Sequence, residues 1–150
     1  MPGADQPDAR RSSPSSLRNR EPIARVLQQY LPAGSQGLEI AAGTGEHAAY
    51  LSTALSAARW WPSDISDDAI DSINAWRADS DTAILQPALR LDVSRPVTET
   101  EQALRNADAS PARFDAIVCI NMIHISPWQA TEGLLRTAES LLVDGGLLYL

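Results

Sequence analysis

The sequence of 150 residues contains no long apolar run. A helix needs roughly 20 consecutive apolar residues to cross a bilayer, and no stretch of this chain approaches that length. The first residues also lack the apolar centre of a secretory signal, and they carry Asp5 and Asp8. We therefore expect no membrane association and a cytoplasmic location.

Cysteine is almost absent, since Cys119 is the single residue of its type. One thiol excludes an internal disulfide framework and a zinc site built from several cysteines. Cys119 lies in the apolar run FDAIVCI, which predicts a buried and unreactive thiol. His47 and His124 are far apart in the sequence, so no metal site is predicted.

Basic residues are also scarce, with 12 Lys and Arg against 19 Asp and Glu and a net charge of −7. Nucleic-acid binding requires a basic surface that neutralises phosphates, so this class of partner is disfavoured. The arginines at positions 10, 11, 18 and 20 are interpreted as part of a solvated segment. A small molecule is the partner that we expect, and the sequence contains no indication of oligomeric state.

Short apolar runs alternate with segments of helical periodicity along the chain. The predicted strands are GLEIA, ARWWPSD, ALRLDV, FDAIVCI and LLYL. Alternating strands and helices predict an α/β protein with a doubly wound, mainly parallel, Rossmann-like sheet.

Proline and glycine predict where the helices begin and end. Pro22 is placed in the first turn of the first helix, and Gly145 with Gly146 closes the last one. Residues 1–17, rich in Pro, Ser and charge, are expected to form a disordered tail, and residues 18–150 one domain. Because an open sheet that stops in an apolar strand has an unprotected edge, we expect further strands after Leu150.

Polar or small residues follow four of the predicted strands. They are Glu39 with the turn that contains Ala41, Gly43 and Gly45, then Asp64, then Asp92, and finally Asn121 with His124. In open α/β sheets, ligands bind beyond the carboxyl ends of the strands. These residues are therefore the candidate binding site.

The glycine turn admits two interpretations. GTGEHA fits the dinucleotide pattern G-x-G-x-x-G/A, with Ala48 in the last place and Asp64 about 20 residues further on. On the other interpretation Glu39, Asp64 and Asp92 bind a ligand that carries hydroxyls and a cationic group but no phosphate. S-adenosylmethionine has these properties, and because Glu39 would repel a pyrophosphate, we favour it over a dinucleotide.

EIAAGTG resembles the first motif of class I S-adenosylmethionine-dependent methyltransferases, with Ala41 where glycine is commonest. This resemblance implies that the turn at residues 43–45 packs against the cofactor, that Asp64 holds the ribose and that Asp92 lies beside the adenine. RNREPI, EIAAGTGEHA, WWPSD, SINAW and NMIHISPW together resemble a family of methyltransferase-like proteins with a domain of unknown function. Its vertebrate members are called methyltransferase-like protein 26, and the resemblance extends from Arg18 to Leu150.

Methyl transfer from a sulfonium mainly requires alignment of the nucleophile and exclusion of water. A general base helps only when the nucleophile must lose a proton, and His124 is the candidate. Asn121 is expected to orient substrate or cofactor, and Arg20 and Trp128 are candidate substrate contacts. The predicted activity is S-adenosylmethionine-dependent methylation of a small molecule. An NAD(P)-dependent oxidoreductase and a non-catalytic S-adenosylmethionine-binding module are the alternatives.

Overall fold

Five helices and five strands alternate in the computed structural model, which describes residues 8–109 and 113–150. The elements are α1 (Pro14–Gln28), β1 (Gln36–Glu39), α2 (Glu46–Ala54), β2 (Arg59–Asp64), α3 (Asp67–Ala78), β3 (Leu89–Arg90), α4 (Val97–Asn106), β4 (Phe114–Val118), α5 (Trp128–Leu141) and β5 (Leu142–Tyr149). None of the helices in these two ranges is both long enough and apolar enough to cross a membrane.

The strands form one parallel sheet in the order β3-β2-β1-β4-β5. Helices cover both faces of the sheet, because successive strand residues point to opposite sides. On one side Leu38 packs in a cluster with Leu134 of α5. On the other side Trp60 packs in a cluster with Leu27 of α1 and Leu51 of α2. The predicted doubly wound, Rossmann-like α/β fold is confirmed.

The direction of winding reverses between β1 and β4. From β1 the chain proceeds outward to β2 and β3, and then returns to β4 on the other side of β1. Glu39 lies opposite Val118 in this pair, so the carboxyl ends of the two central strands are level. Such a reversal opens a crevice at the carboxyl edge, where α/β proteins of this type bind ligands.

Glu39 lies in the core beneath this edge. Its side chain is 1% exposed, and one of its carboxylate oxygens, Oε2, accepts a hydrogen bond of 2.9 Å from the indole Nε1–H of Trp60. The indole lies across Gly37, where a Cβ atom would stand 2.2 Å from the ring. Burial raises the pKa of Glu39 to about 7, and the bond from Trp60 acts in the opposite direction.

The amino-terminal boundary differs from the predicted one. Helix α1 begins at Pro14, before Arg18, and Pro22 lies in its interior rather than in its first turn. Ser13 precedes the helix, and its backbone N–H donates to the carboxylate of Glu46. The segment from residue 8 to residue 17 therefore differs from the disordered tail that its composition predicted. It includes the start of α1 and is attached to Glu46, which is distant in sequence. Residues 1–7 lie outside the described residues.

The last predicted helix also ends earlier than expected. Helix α5 stops at Leu141, and Gly145 and Gly146 lie within β5 instead of closing the helix. The pairing of β5 with β4 shifts register, and Gly145 adopts a left-handed φ of 74° in the irregular part. Glycine tolerates this conformation, so the two glycines allow a bulge in the strand.

We expect Glu39→Gln to abolish the part of the pH dependence of the free energy of unfolding that ionisation of Glu39 causes. The folded protein keeps the Glu39 proton up to about pH 7, whereas an ordinary glutamate releases it near 4.5. The free energy of unfolding therefore falls as the pH rises through this window, by about 3 kcal/mol. Glutamine retains an acceptor for Trp60 but carries no charge.

Urea unfolding of both proteins between about pH 4 and pH 8 measures this component. The variant should match the unchanged protein at the acidic end and exceed its stability at the alkaline end. Parallel stability curves for the two proteins would contradict a buried Glu39 carboxyl with a raised pKa.

Candidate functional site

A cavity of about 550 Å³ opens at the carboxyl ends of β1, β2, β3 and β4. Four predicted cofactor-binding residues line it, namely Ala41, Gly43, Asp64 and Asp92. The remaining lining is mainly apolar and includes Ile40, Ile65, Leu91, Val93, Ile120 and Met122. Two carboxylates at the wall of an apolar cavity can accept hydrogen bonds from a ligand that buries a flat or apolar body between them.

Asp64 ends β2 and is held rigidly at the cavity wall. Its Oδ2 accepts a bond of 3.0 Å from the N–H of Gly43, and its Oδ1 accepts one of 3.0 Å from the N–H of Ser66. The residue is only 9% exposed. Because two carboxylate oxygens offer about four acceptor positions, Asp64 retains capacity for hydroxyl groups of a ligand.

Asp92 follows β3 and lies exposed on the same cavity. Its Oδ1 accepts a bond of 3.0 Å from the N–H of Ser94, which forms a tight turn. The hydroxyl of Ser94 donates to the same oxygen. This turn orients the carboxylate group without engaging both of its oxygens.

The turn after β1 depends on left-handed backbone conformations. Ala41, Gly43 and Gly45 have φ values of 55°, 58° and 88°. Ala41 adopts this conformation at a cost of about 1 kcal/mol, because its Cβ approaches the backbone. A Cβ at Gly43 would meet open space, whereas one at Gly45 would lie 2.7 Å from the Cα of Ile73. Gly45 therefore permits α2 to pack on α3 and is not among the residues that line the cavity.

The amino end of α2 is occupied by groups of the protein itself. Glu46 is 2% exposed, and its carboxylate accepts bonds from the hydroxyl of Ser12 at 3.1 Å and from the N–H of Ser13 at 3.2 Å. The N–H of Glu46 donates to the hydroxyl of Thr44. Glu46, rather than the buried Glu39, is thus the acidic residue in the first turn of α2, the end of a helix at which a dinucleotide would place its pyrophosphate. Its carboxylate faces Ser12 and Ser13 and does not line the first cavity.

A second cavity, of about 440 Å³, contains the two candidate catalytic residues, Asn121 and His124. Ile120 lines both cavities, so the two spaces adjoin at the end of β4. Asn121 has a left-handed φ of 66°, a conformation that asparagine tolerates better than most residues. Asn19 of α1 lines the same cavity, and its Oδ1 lies 2.7 Å from Nε2 of His47.

Two titratable groups near the second cavity are buried. Burial lowers the pKa of His47, although Glu46 raises it and Arg20 adds to the lowering. Burial also raises the pKa of the Cys119 thiol to about 12. The predicted burial of this cysteine is confirmed, and its low reactivity stays a prediction. Within residues 8–109 and 113–150 no group of three or more His, Cys, Asp or Glu side chains could hold a metal ion.

The two candidate substrate residues lie outside both cavities. The Arg20 guanidinium stands 4.9 Å from the centroid of the Tyr50 ring and lines a third cavity with Glu46. Trp128 is 63% exposed and does not line the first cavity, although the adjacent residues Pro127 and Gln129 do.

The sequence-based site did not include Asn19, a polar residue of α1 that lines the cavity of His124. Asn19 lies one helical turn before Ile23, which is buried and lines the same cavity. Helical periodicity could therefore have identified Asn19, because Asn19 lies on the same face of α1 as Ile23 and Arg20 does not.

Several solved methyltransferases share this fold. One from Geobacter sulfurreducens, in complex with S-adenosyl-L-homocysteine, matches with a TM-score of 0.61 and 15% identity over 97% of this chain and 50% of that chain. One from Thiobacillus denitrificans, also in complex with S-adenosyl-L-homocysteine, matches with a TM-score of 0.64 and 17% identity over 93% and 49%. The glycopeptide N-methyltransferase MtfA matches with a TM-score of 0.65 and 16% identity over 87% and 51%. The chain thus spans about half the length of these proteins, and at such identities the likeness shows a methyltransferase fold.

A protein-family model described as "Protein of unknown function (DUF938)" matches residues 10–150. The match begins before Arg18, in agreement with the ordered segment that precedes α1. The narrower resemblance to methyltransferase-like protein 26 stays a prediction. Because the model covers nearly the whole chain, this protein belongs to the DUF938 family of unknown function.

Proposed function

We propose that this protein is an S-adenosylmethionine-dependent methyltransferase that acts on a small molecule. The observation that carries the proposal is the first cavity, where Asp64 and Asp92 stand at the carboxyl ends of neighbouring strands. Asp64 can accept bonds from the two ribose hydroxyls, and Asp92 can accept one from the adenine amino group. The apolar walls between them suit the flat purine.

The amino end of α2 argues against the dinucleotide alternative. A pyrophosphate binds where backbone N–H groups and the helix dipole are free to receive it. Here the Glu46 carboxylate is buried at that end and accepts bonds from Ser12 and Ser13. A pyrophosphate carries two negative charges and would be repelled by Glu46 more strongly than S-adenosylmethionine, whose single carboxylate is accompanied by an ammonium and a sulfonium.

The junction of the two cavities is the place that we assign to the sulfonium. Ile120 lines both spaces, and its apolar side chain would help to exclude water from the reacting methyl group. In-line transfer requires the nucleophile to approach opposite the departing sulfur. Asn121 would orient the acceptor, and His124 would take the proton of an acceptor that must lose one. Trp128 stays a proposed outer contact for the acceptor, and the cytoplasmic location stays a prediction.

We expect Asp64→Asn to weaken binding of S-adenosylhomocysteine by about ten- to a hundredfold, because the ribose hydroxyls would lose a charged acceptor. Asp71→Asn is the matched control, since it makes the same charge change on an exposed residue of α3. Isothermal calorimetry with S-adenosylhomocysteine and with NAD⁺ measures both effects. Equal affinities for the two variants would remove Asp64 from the site, and tight NAD⁺ binding without S-adenosylhomocysteine binding would overturn the proposal.

Turnover distinguishes an enzyme from a module that only binds the cofactor. With S-adenosylmethionine labelled in the methyl group, we expect label to enter the small-molecule fraction of a cell extract. Once an acceptor that must lose a proton is in hand, His124→Ala should slow transfer by about 10²- to 10⁴-fold while cofactor affinity is unchanged. Asp64→Asn serves as the binding-deficient control. Cofactor binding without transfer to any acceptor would contradict the enzymatic proposal.

A further inference from the structure

We propose that Asn19, held in position by His47, binds the carboxylate of the cofactor's amino-acid end in the second cavity. This assignment rests on the proposed function and adds a residue of α1 to the binding site. Asn19 is half-buried, lines the cavity beside Asn121 and His124, and accepts a hydrogen bond of 2.7 Å from His47.

The hydrogen bond to His47 determines which end of the Asn19 amide faces the cavity. His47 is buried in the first turn of α2, and a ring nitrogen that faces a carbonyl oxygen carries a proton and donates it. Because Oδ1 of Asn19 is engaged in this way, the amide nitrogen and its two N–H groups remain for a ligand. An amide that presents only donors suits a carboxylate.

Contacts of residues before and after Asn19 attach α1 to α2 and so hold Asn19 in place. Before it, the N–H of Ser13 donates to the buried carboxylate of Glu46. Directly after it, the Arg20 guanidinium packs over the ring of Tyr50 at 4.9 Å. Both partners belong to α2, the helix that also carries His47, so the amide is positioned before a ligand arrives.

The charges that line the two cavities favour different ends of S-adenosylmethionine. Asp64 and Asp92 line the first cavity and would repel a carboxylate while accepting bonds from the adenosine. The polar side chains on the second cavity include the amides of Asn19 and Asn121 and the imidazole of His124, and none of its described lining residues is Asp or Glu. The amino-acid end would therefore extend past Ile120 towards α1 when adenosine occupies the first cavity.

Asn19→Asp tests this assignment with almost no change of shape. The aspartate keeps an oxygen that accepts from His47 but replaces the cavity-facing amide nitrogen with a negative oxygen. We expect S-adenosylhomocysteine to bind about ten- to a hundredfold more weakly, because a charge-assisted bond becomes a repulsion. 5′-Methylthioadenosine, which lacks the amino-acid end, should bind as it does to the unchanged protein.

Asn106→Asp is the matched control, because it makes the same charge change on an exposed residue at the end of α4. His47→Gln and His47→Leu test the positioning role. Glutamine can offer an amide N–H near the place of Nε2, so it should preserve the preference for S-adenosylhomocysteine over methylthioadenosine, whereas leucine should reduce it. Each protein is measured by calorimetry with both ligands.

Several outcomes would overturn the assignment. An equal loss of both ligands in Asn19→Asp would indicate a merely structural role, and tighter S-adenosylhomocysteine binding would mean that the ammonium group faces Asn19. If the wild-type protein binds both ligands equally well, no residue contributes to binding of the amino-acid end. An unchanged protein that binds neither ligand would overturn the proposed function together with this inference.

Discussion

The hydrogen bond from Trp60 to Glu39 is the constraint on which the carboxyl edge of the sheet depends. It joins β1 to β2 within the core, and Gly37 makes it possible because any side chain there would collide with the indole. The hydroxyl of Ser63 adds a bond of 2.7 Å to the backbone carbonyl of Glu39. Together these contacts fix the last residue of β1, and the turn that lines the first cavity begins immediately after it.

The same constraint explains why the carboxylate of Glu39 is absent from the cavity that it helps to form. Its two hydrogen-bonded neighbours, Trp60 and Ser63, hold it under the turn, and Ile40 reaches the cavity instead. A buried acid with one indole partner remains protonated over much of the range in which surface acids are charged. Below about pH 7, the edge of the sheet is thus supported by an uncharged carboxyl group rather than by an ion pair.

Alternation of strands and helices was sufficient to predict the fold and part of the site. Parallel strands bring their carboxyl ends to one edge, so Asp64 and Asp92 could be assigned to a common cavity without knowledge of tertiary contacts. The face to which Glu39 points required knowledge of a tertiary contact. Its carboxylate bonds to Trp60, which packs with residues of α1 and α2 on the side of the sheet away from Leu38. The start of α1 could not be predicted locally, since Ser13 is ordered by Glu46, which is distant in sequence.

The anchored segment before α1 has a practical consequence for anyone who expresses this protein. A chain started at Arg18, where composition changes, would lose Ser12 and Ser13, which are the hydrogen-bond donors to Glu46. A carboxylate that is 2% exposed would then be left without these donors inside the protein, which is costly to stability. The short serine stretch ahead of the helix is therefore part of the folded unit, and an affinity tag belongs upstream of it.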